Sequence, residues 1–410
     1  VSPPSRLQTV AILAQVARKG RRKSANPGES GVAPKENATY SRAMRSWQDV
    51  QDFFGPKVAA TSGPSKRQVP LGARVGESIA GANLTQEARS KKNFAEAWKK
   101  YSSTNVRLRD PRTLPLLVRQ GVPHDLRQDV WLHCLGMDCA SAAQAEDLSN
   151  ADEGSVGEFD DIIDADVART HPNHKEFQAI NGQERLRRVL RRMAADDADL
   201  GYCQSLNFVA ATLLLVLNNE SLVVTAAGKL IMKLSIRSWY KDGMQQLRAD
   251  TVVLDGLIHD RLPAIHAVLQ EKRFDLLFVT SKWFLCLFAT MLEDDVLRRV
   301  WDVILCDGIE AVFRVALALV AARSKAILLA PSADDIVEMF QRRPTEVTGD
   351  ALIRSAYDVE LVGQLNRTTL AQRRQQAAAQ VTSTDNQTEL RRIQLARGGV
   401  RPSSLPLRAN

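Results

Sequence analysis

The sequence predicts an all-α fold, and three observations carry that prediction. Apolar residues recur at helical spacing: Leu126, Val130, Cys134 and Leu135 share one face, as do Leu186, Val189, Leu190, Met193 and Ala194. The run from Phe208 to Leu217 is apolar but for Thr212. It is shorter than the ~20 residues a membrane span needs, so it reads as a fully buried helix. No segment shows sustained period-two alternation or hairpin turn chemistry.

The elements follow in order. At 410 residues the chain exceeds one ordinary core, so two subdomains or one domain with tails are expected. Residues 1–85 are rich in Pro, Gly, Ser and Ala, carry no acid before Glu29, and are expected to be disordered. Within them, Arg18-Lys19-x-Arg21-Arg22-Lys23 reads as a solvated basic segment whose charge would suit anionic lipid, RNA or an import receptor. Trp47, Val50, Phe53 and Phe54 form a short amphipathic turn. Residues 86–108 lead in, with a helix over 86–101 that carries Phe94 and Trp98.

Order is expected from 109, in one helical subdomain over 109–235 and a second over 236–360. Arg119-Gln120-Gly121-Val122-Pro123 makes the turn that opens the helix of Arg127 and Trp131. These two lie four apart, so the guanidinium is expected to stack on or bond beside the indole. Leu247, Leu254, Leu257, Ile258 and Leu262 mark a later helix, stopped by Pro263. Acids precede the apolar runs beginning at Val296 and Val312, as the helix dipole favours. Residues 361–410 turn Gln-, Arg- and Ala-rich, a disordered basic tail or a marginal helix.

Charge is divided along the chain. Lys and Arg outnumber Asp and Glu by 18 to 7 over residues 1–100 and by 8 to 2 over 361–410. The net +8 therefore hides a mildly acidic body, and nucleic acid is an unlikely partner for it. The five cysteines (134, 139, 203, 286 and 306) contain no C-x-x-C pair and read as buried residues of a reducing compartment. His171 and His174 have no third ligand at sensible spacing, so both read as structural or solvent-facing and no metal site is expected.

The central stretch, 160–217, carries the candidate chemistry. Ile162, Ile163 and Val167 are expected on one side of a helix. Asp166 and Arg169 are three apart and face one another, which presents the arginine near an exposed helix end. Pro172 biases His171 towards extended backbone. Polar Gln204 and Asn207 stand at the head of the buried helix, where polar side chains need a reason.

Several of these segments together resemble the TBC domain, the module that activates Rab-type small GTPases. Gly121-Val122-Pro123 with Arg127-x-x-x-Trp131 matches the family's R-x-x-x-W, Ile163-x-x-Asp166-x-x-Arg169-Thr170 its I-x-x-D-x-x-R, and Tyr202-x-Gln204 its Y-x-Q. Trp283-Phe284, Val300-Trp301-Asp302 and Phe313-Arg314-Val315-Ala316-Leu317 match later segments, and the likeness covers roughly 109–330. Each motif alone is weak; their order makes the signal.

The resemblance implies a two-lobed helical TBC-type domain with basic terminal tails. It implies Arg169 as an arginine finger and Gln204 as a glutamine finger, supplied in trans to a GTP-bound Rab-type GTPase. Asp166 would hold Arg169. Arg127 and Trp131 would buttress the site, and Tyr202 and Asn207 would shape the loop of Gln204. Ile163 and Thr170 complete the second motif. The chain would have no cofactor of its own, since GTP and Mg²⁺ come with the partner. It would run no reaction of its own and would act in the cytoplasm, with its tails in peripheral contact with anionic endomembranes.

Two positions depart from the pattern. Ser205-Leu206 stands where the family has Gly-Met, and a Cβ makes a positive φ there costlier. His171 stands where an aromatic residue is usual. The alternative reading is a TBC fold that binds a GTP-loaded GTPase as a scaffold without useful catalysis.

Overall fold

The computed structural model describes residues 93–102, 112–137, 157–241, 243–344 and 347–398. Every regular element among them is helical. The expectations for residues 1–85 lie outside the described residues.

Two apolar helices set the architecture. α6 (Leu206–Leu217) buries residues on nearly all its sides, and α4 (Asp160–Arg169), α5 (Ile180–Asp196) and α7 (Glu220–Leu234) pack around it. α12 (Ile309–Ala322) plays the same part later in the chain, among α8 (Gln245–Arg261), α11 (Asp294–Asp307) and α14 (Gly349–Ala356). A helix that is apolar all round has no stable place but a core. Pro263 stops α8 and opens α9 (Pro263–Glu271), where its missing N–H leaves nothing unsatisfied.

The early helices brace the late ones. Helix α1, residues 93–102, sets the Trp98 indole N–H on the Gly121 carbonyl at 3.0 Å. α2 (Thr113–Gln120) and α3 (Arg127–Cys134) pack against α11. Arg299 of α11 donates to the Val118 and Arg119 carbonyls at 3.0 and 3.1 Å, which closes the free C-terminal end of α2.

Of the two expectations for Arg127 and Trp131, stacking fails and bonding side by side holds, since both donate to one carboxylate of α11. Arg127 donates to Asp302 of α11 at 3.0 and 3.3 Å and to the Val122 carbonyl at 2.9 Å. The Trp131 N–H donates to the same carboxylate at 2.7 Å, and its ring stacks on Trp301 with centroids 5.7 Å apart. The spacing makes the pair neighbours, but a buried charge takes the strongest compensating partner, and that is an acid 175 residues away. Asp302 is fully buried, and burial raises its carboxyl against the pull of Arg127.

Over Arg367–Gly398 the marginal helix forms, and residues 399–410 of the expected tail lie outside the described residues. α15 (Arg367–Gly398) lies along α8. Leu370, Ala377 and Val381 are its buried face, an apolar stripe too sparse to stand out in sequence. Arg374 donates at 2.8 and 2.9 Å to Asp250, a fully buried carboxylate that also receives the Trp239 N–H at 2.7 Å. Arg248 reaches across to Asp385 at 2.7 and 2.8 Å. Helix-forming composition supplies the backbone, and these ion pairs hold it in register.

Candidate functional site

α4 carries the first candidate side chains. Asp160 and Asp161 favour its start, and Ile163 and Val167 are buried beneath it. Ile162, expected on the same face, is 40% exposed: a turn of 100° per residue carries it beyond the buried stripe. Arg191 and Arg187 of α5 clamp Asp160 and Asp164 at 2.9 and 2.6 Å, which fixes the helix lengthwise.

The helix ends at Arg169, since Thr170 turns to extended backbone while its hydroxyl donates to the Asp166 carbonyl at 2.6 Å. His171 follows with φ +43°, left-handed rather than extended as expected before Pro172. Its ring settles between Phe177 and Phe208, with centroids 6.1 and 5.5 Å away. Aromatic packing outweighs the pre-proline preference here.

The loop of Gln204 arrives by a different route. Asp197 and Asp199 take the Arg237 guanidinium at 2.6 and 2.9 Å, pinning the turn after α5. Gly201 has φ +61°, and a Cβ there would stand 2.5 Å from the Phe159 ring at the foot of α4. Only glycine lets the two segments meet so closely.

One carboxylate then gathers the site. Asp166 is wholly buried; it forms an ion pair with Arg169, accepts the Tyr202 hydroxyl at 2.5 Å, and accepts the Gln204 amide N–H at 3.3 Å. Arg169 keeps 38% of its side chain exposed, so its anchored end is covered and the rest faces outward. Burial raises the Asp166 carboxyl above its ordinary value while Tyr202, Arg169 and Gln204 pull it down. Burial and the charge of Asp166 also hold the Tyr202 phenol well above its usual range, so it stays a donor. The Gln204 carbonyl oxygen, Oε1, is shielded and has no hydrogen-bond partner among the described residues.

A second relay supports the first. Asn207 donates to the Thr170 hydroxyl at 2.7 Å and accepts the Ser205 N–H at 3.0 Å. Ser205 has φ +82°, the left-handed backbone its glycine-to-serine difference makes costly, and its hydroxyl bonds the Cys286 thiol. The Asn207 bond and the Cys286 bond offset that strain. Asp166, Arg169, Thr170, Tyr202, Gln204 and Asn207 are thus brought together, over Ile163. Arg127 and Trp131 bond Asp302 instead of these six. Asp302 and Cys286 are the residues sequence reasoning left without a role; an acid inside the run Val300-Trp301-Asp302-Val303-Ile304-Leu305 was the available signal for the first.

His171 gives the region a pH dependence. Burial lowers its imidazole to about 4 from 6.5, with Arg343 and His174 pushing the same way and Asp294 opposing. Its Nε2 is buried without a partner among the described residues, as suits a neutral ring. Because the unfolded chain takes up this proton first, stability is lost as pH falls from 6.5 towards 4. Between about pH 7 and about pH 4.5 this one residue removes about 2 kcal/mol. Thermal melts of His171→Phe across that range are expected to decline less steeply than those of the native chain; equal slopes would refute the assignment.

Among the described residues no group of three or more His, Cys, Asp or Glu side chains could hold a metal ion. His174 caps Glu176 N–H at 3.2 Å and lies 3.4 Å from Asp294. No described helix is long and apolar enough to cross a membrane.

The sequence pattern of the Rab-GTPase-TBC domain matches residues 124–328. Growth hormone-regulated TBC protein 1 of Homo sapiens is 31% identical over 238 residues, covering 56% of this chain and 70% of that protein. TBC1 domain family member 2A of Bos taurus is 33% identical over 235 residues, but the match spans only 25% of its length. Among solved structures, the Chlamydomonas flagellar RabGAP TBC domain superposes with a TM-score of 0.53 at 25% identity, over 67% of this chain and 95% of that one. The Ypt/Rab-GAP domain of Gyp1p shares the fold, with a TM-score of 0.54 at 16% identity over 64% and 96%. The chain belongs to the Rab-GTPase-TBC domain family, whose members activate the GTPase of a Rab partner.

Proposed function

We propose that Arg169 and Gln204 enter the nucleotide site of a GTP-loaded Rab-type GTPase as paired fingers. The observation that supports this is their common anchor: Asp166 binds both, and its own burial keeps the anchor from wandering. GTP hydrolysis by a small GTPase is slow because charge on the transferring phosphoryl oxygens is poorly compensated and the attacking water poorly held. An arginine supplied in trans accelerates such reactions by about 10³ to 10⁵. Arg169 offers a permanently charged planar fork for that charge, which lysine does not.

Gln204 has its amide nitrogen on Asp166 and its Oε1 shielded, so in this reading the side chain rotates outward on docking to present Oε1 to the attacking water. Tyr202 keeps the carboxylate in place, and the Asn207–Thr170 bond ties the glutamine loop to the arginine helix. GTP and Mg²⁺ belong to the GTPase partner, so the chain lends side chains and runs no reaction of its own. In this reading it works in the cytoplasm at the surface of the membranes whose traffic the GTPase controls, with its basic termini against anionic lipid.

The positive φ of Ser205 favours a second reading, a scaffold that binds a GTP-loaded Rab without accelerating it. Single-turnover hydrolysis by a panel of GTP-loaded Rab proteins, with and without the chain, separates the two. Acceleration of one or a few Rabs, lost in both Arg169→Ala and Gln204→Ala, is the expected result. Binding to a GTP-bound Rab with no acceleration anywhere would establish the scaffold. Acceleration that survives loss of Arg169 would assign the wrong finger.

A further inference from the structure

Two thiols meet where α3 and α11 end. Cys134 is the last residue of α3 and Cys306 the next to last of α11, and their thiols are close enough to interact. The backbones converge as well: the Lys233 ammonium donates to the Cys134 carbonyl at 2.7 Å and to the Cys306 carbonyl at 3.4 Å. One turn back, Arg127 and Trp131 share Asp302, and Trp131 stacks on Trp301. Those contacts lock the two helices against sliding, so the sulfurs stay face to face. Both residues are half-buried. Cys286 shows the contrast: it is buried, and its thiol is pushed up to about 11.

We propose that Cys134 and Cys306 are a redox-active pair that closes to a disulfide between α3 and α11, with a hydroperoxide as the oxidant. Either thiol can take the first step. As a thiolate it attacks the distal peroxide oxygen, the O–O bond breaks, and the sulfenic acid and one water (with hydrogen peroxide) form. The other sulfur next attacks the sulfenic sulfur, the S–O bond breaks, and a second water leaves as the disulfide closes. Two thiols lose two electrons and one peroxide gains them.

The bond would join residues far apart in the chain, which restricts the unfolded ensemble strongly. It would add to a contact already made rather than force a new one. The expected gain is a rise in Tm on the order of 5 °C.

The test treats the reduced full chain with hydrogen peroxide and maps its peptides without reduction. The expected product links the peptides of Cys134 and Cys306, is two hydrogens lighter than the pair, reverts with a thiol reductant, and melts higher. Cys134→Ala and Cys306→Ala each lose the link and the Tm gain. A link that runs through Cys139 would overturn the proposal. So would sulfinic acid on Cys134 with no link, or a correct link that leaves Tm unchanged. Mapping the native chain decides the matter even if a variant fails to fold.

Discussion

Arg169→Ala lowers the stimulated rate of GTP hydrolysis by about 10³-fold or more and leaves the fold standing. The two halves of that result come from the two ends of one side chain. The side chain is 38% exposed, so its loss opens no fully buried cavity. Its inner end compensates Asp166, which keeps the Tyr202 hydroxyl and the Gln204 amide in the variant. An acid whose carboxyl is already raised by burial protonates readily when the guanidinium goes, which limits the penalty. Arg169→Lys restores the charge without the fork and is expected to recover little of the rate. Stopped-flow detection of phosphate release, beside thermal melts of the same samples, measures both. A variant that loses the rate only in proportion to its folded fraction would make Arg169 structural.

The largest loss of stability is expected far from the fingers, at Asp302. Asp302→Ala removes the carboxylate that takes both Arg127 and the Trp131 N–H, and leaves a buried guanidinium with only the Val122 carbonyl. Breaking a buried pair from one side costs about 3–5 kcal/mol, because the remaining charge stays desolvated. Asp302→Asn keeps an acceptor for the indole and loses the charge, so it should fall between the variant and the native chain. Urea denaturation followed by circular dichroism measures the difference. A loss below about 1 kcal/mol for the alanine variant would mean that solvent reaches Arg127 and that the α3–α11 contact is not the brace described.

How much of this was legible depended on whether the partners were close in sequence. Asp166 and Arg169 are neighbours on one helix, and spacing alone paired them correctly. Arg127 and Trp131 are neighbours too and do bond side by side, but the acid that receives both belongs to α11, which local spacing does not reveal. The meeting of Gln204 with Asp166 depends on Gly201 admitting Phe159, which no spacing announces; the ordered motifs pointed to it through resemblance instead. Two backbone conformations were addressed from sequence: Ser205, where the family has glycine, takes a positive φ, while His171 is left-handed instead of extended before Pro172. The C-terminal helix could be read only as marginal, because much of its hold comes from ion pairs to α8 and its buried apolar stripe is sparse.

That helix also bears on where a recombinant fragment should stop. Residues 124–328 carry the family pattern, and trimming to that segment looks economical. It would leave Asp250 inside the domain with no guanidinium, and strip the cover from α8. It would also discard Gly121 and Val122, whose carbonyls anchor Trp98 and Arg127. The smallest piece expected to behave as a soluble unit therefore begins before Trp98 and ends beyond Asp385.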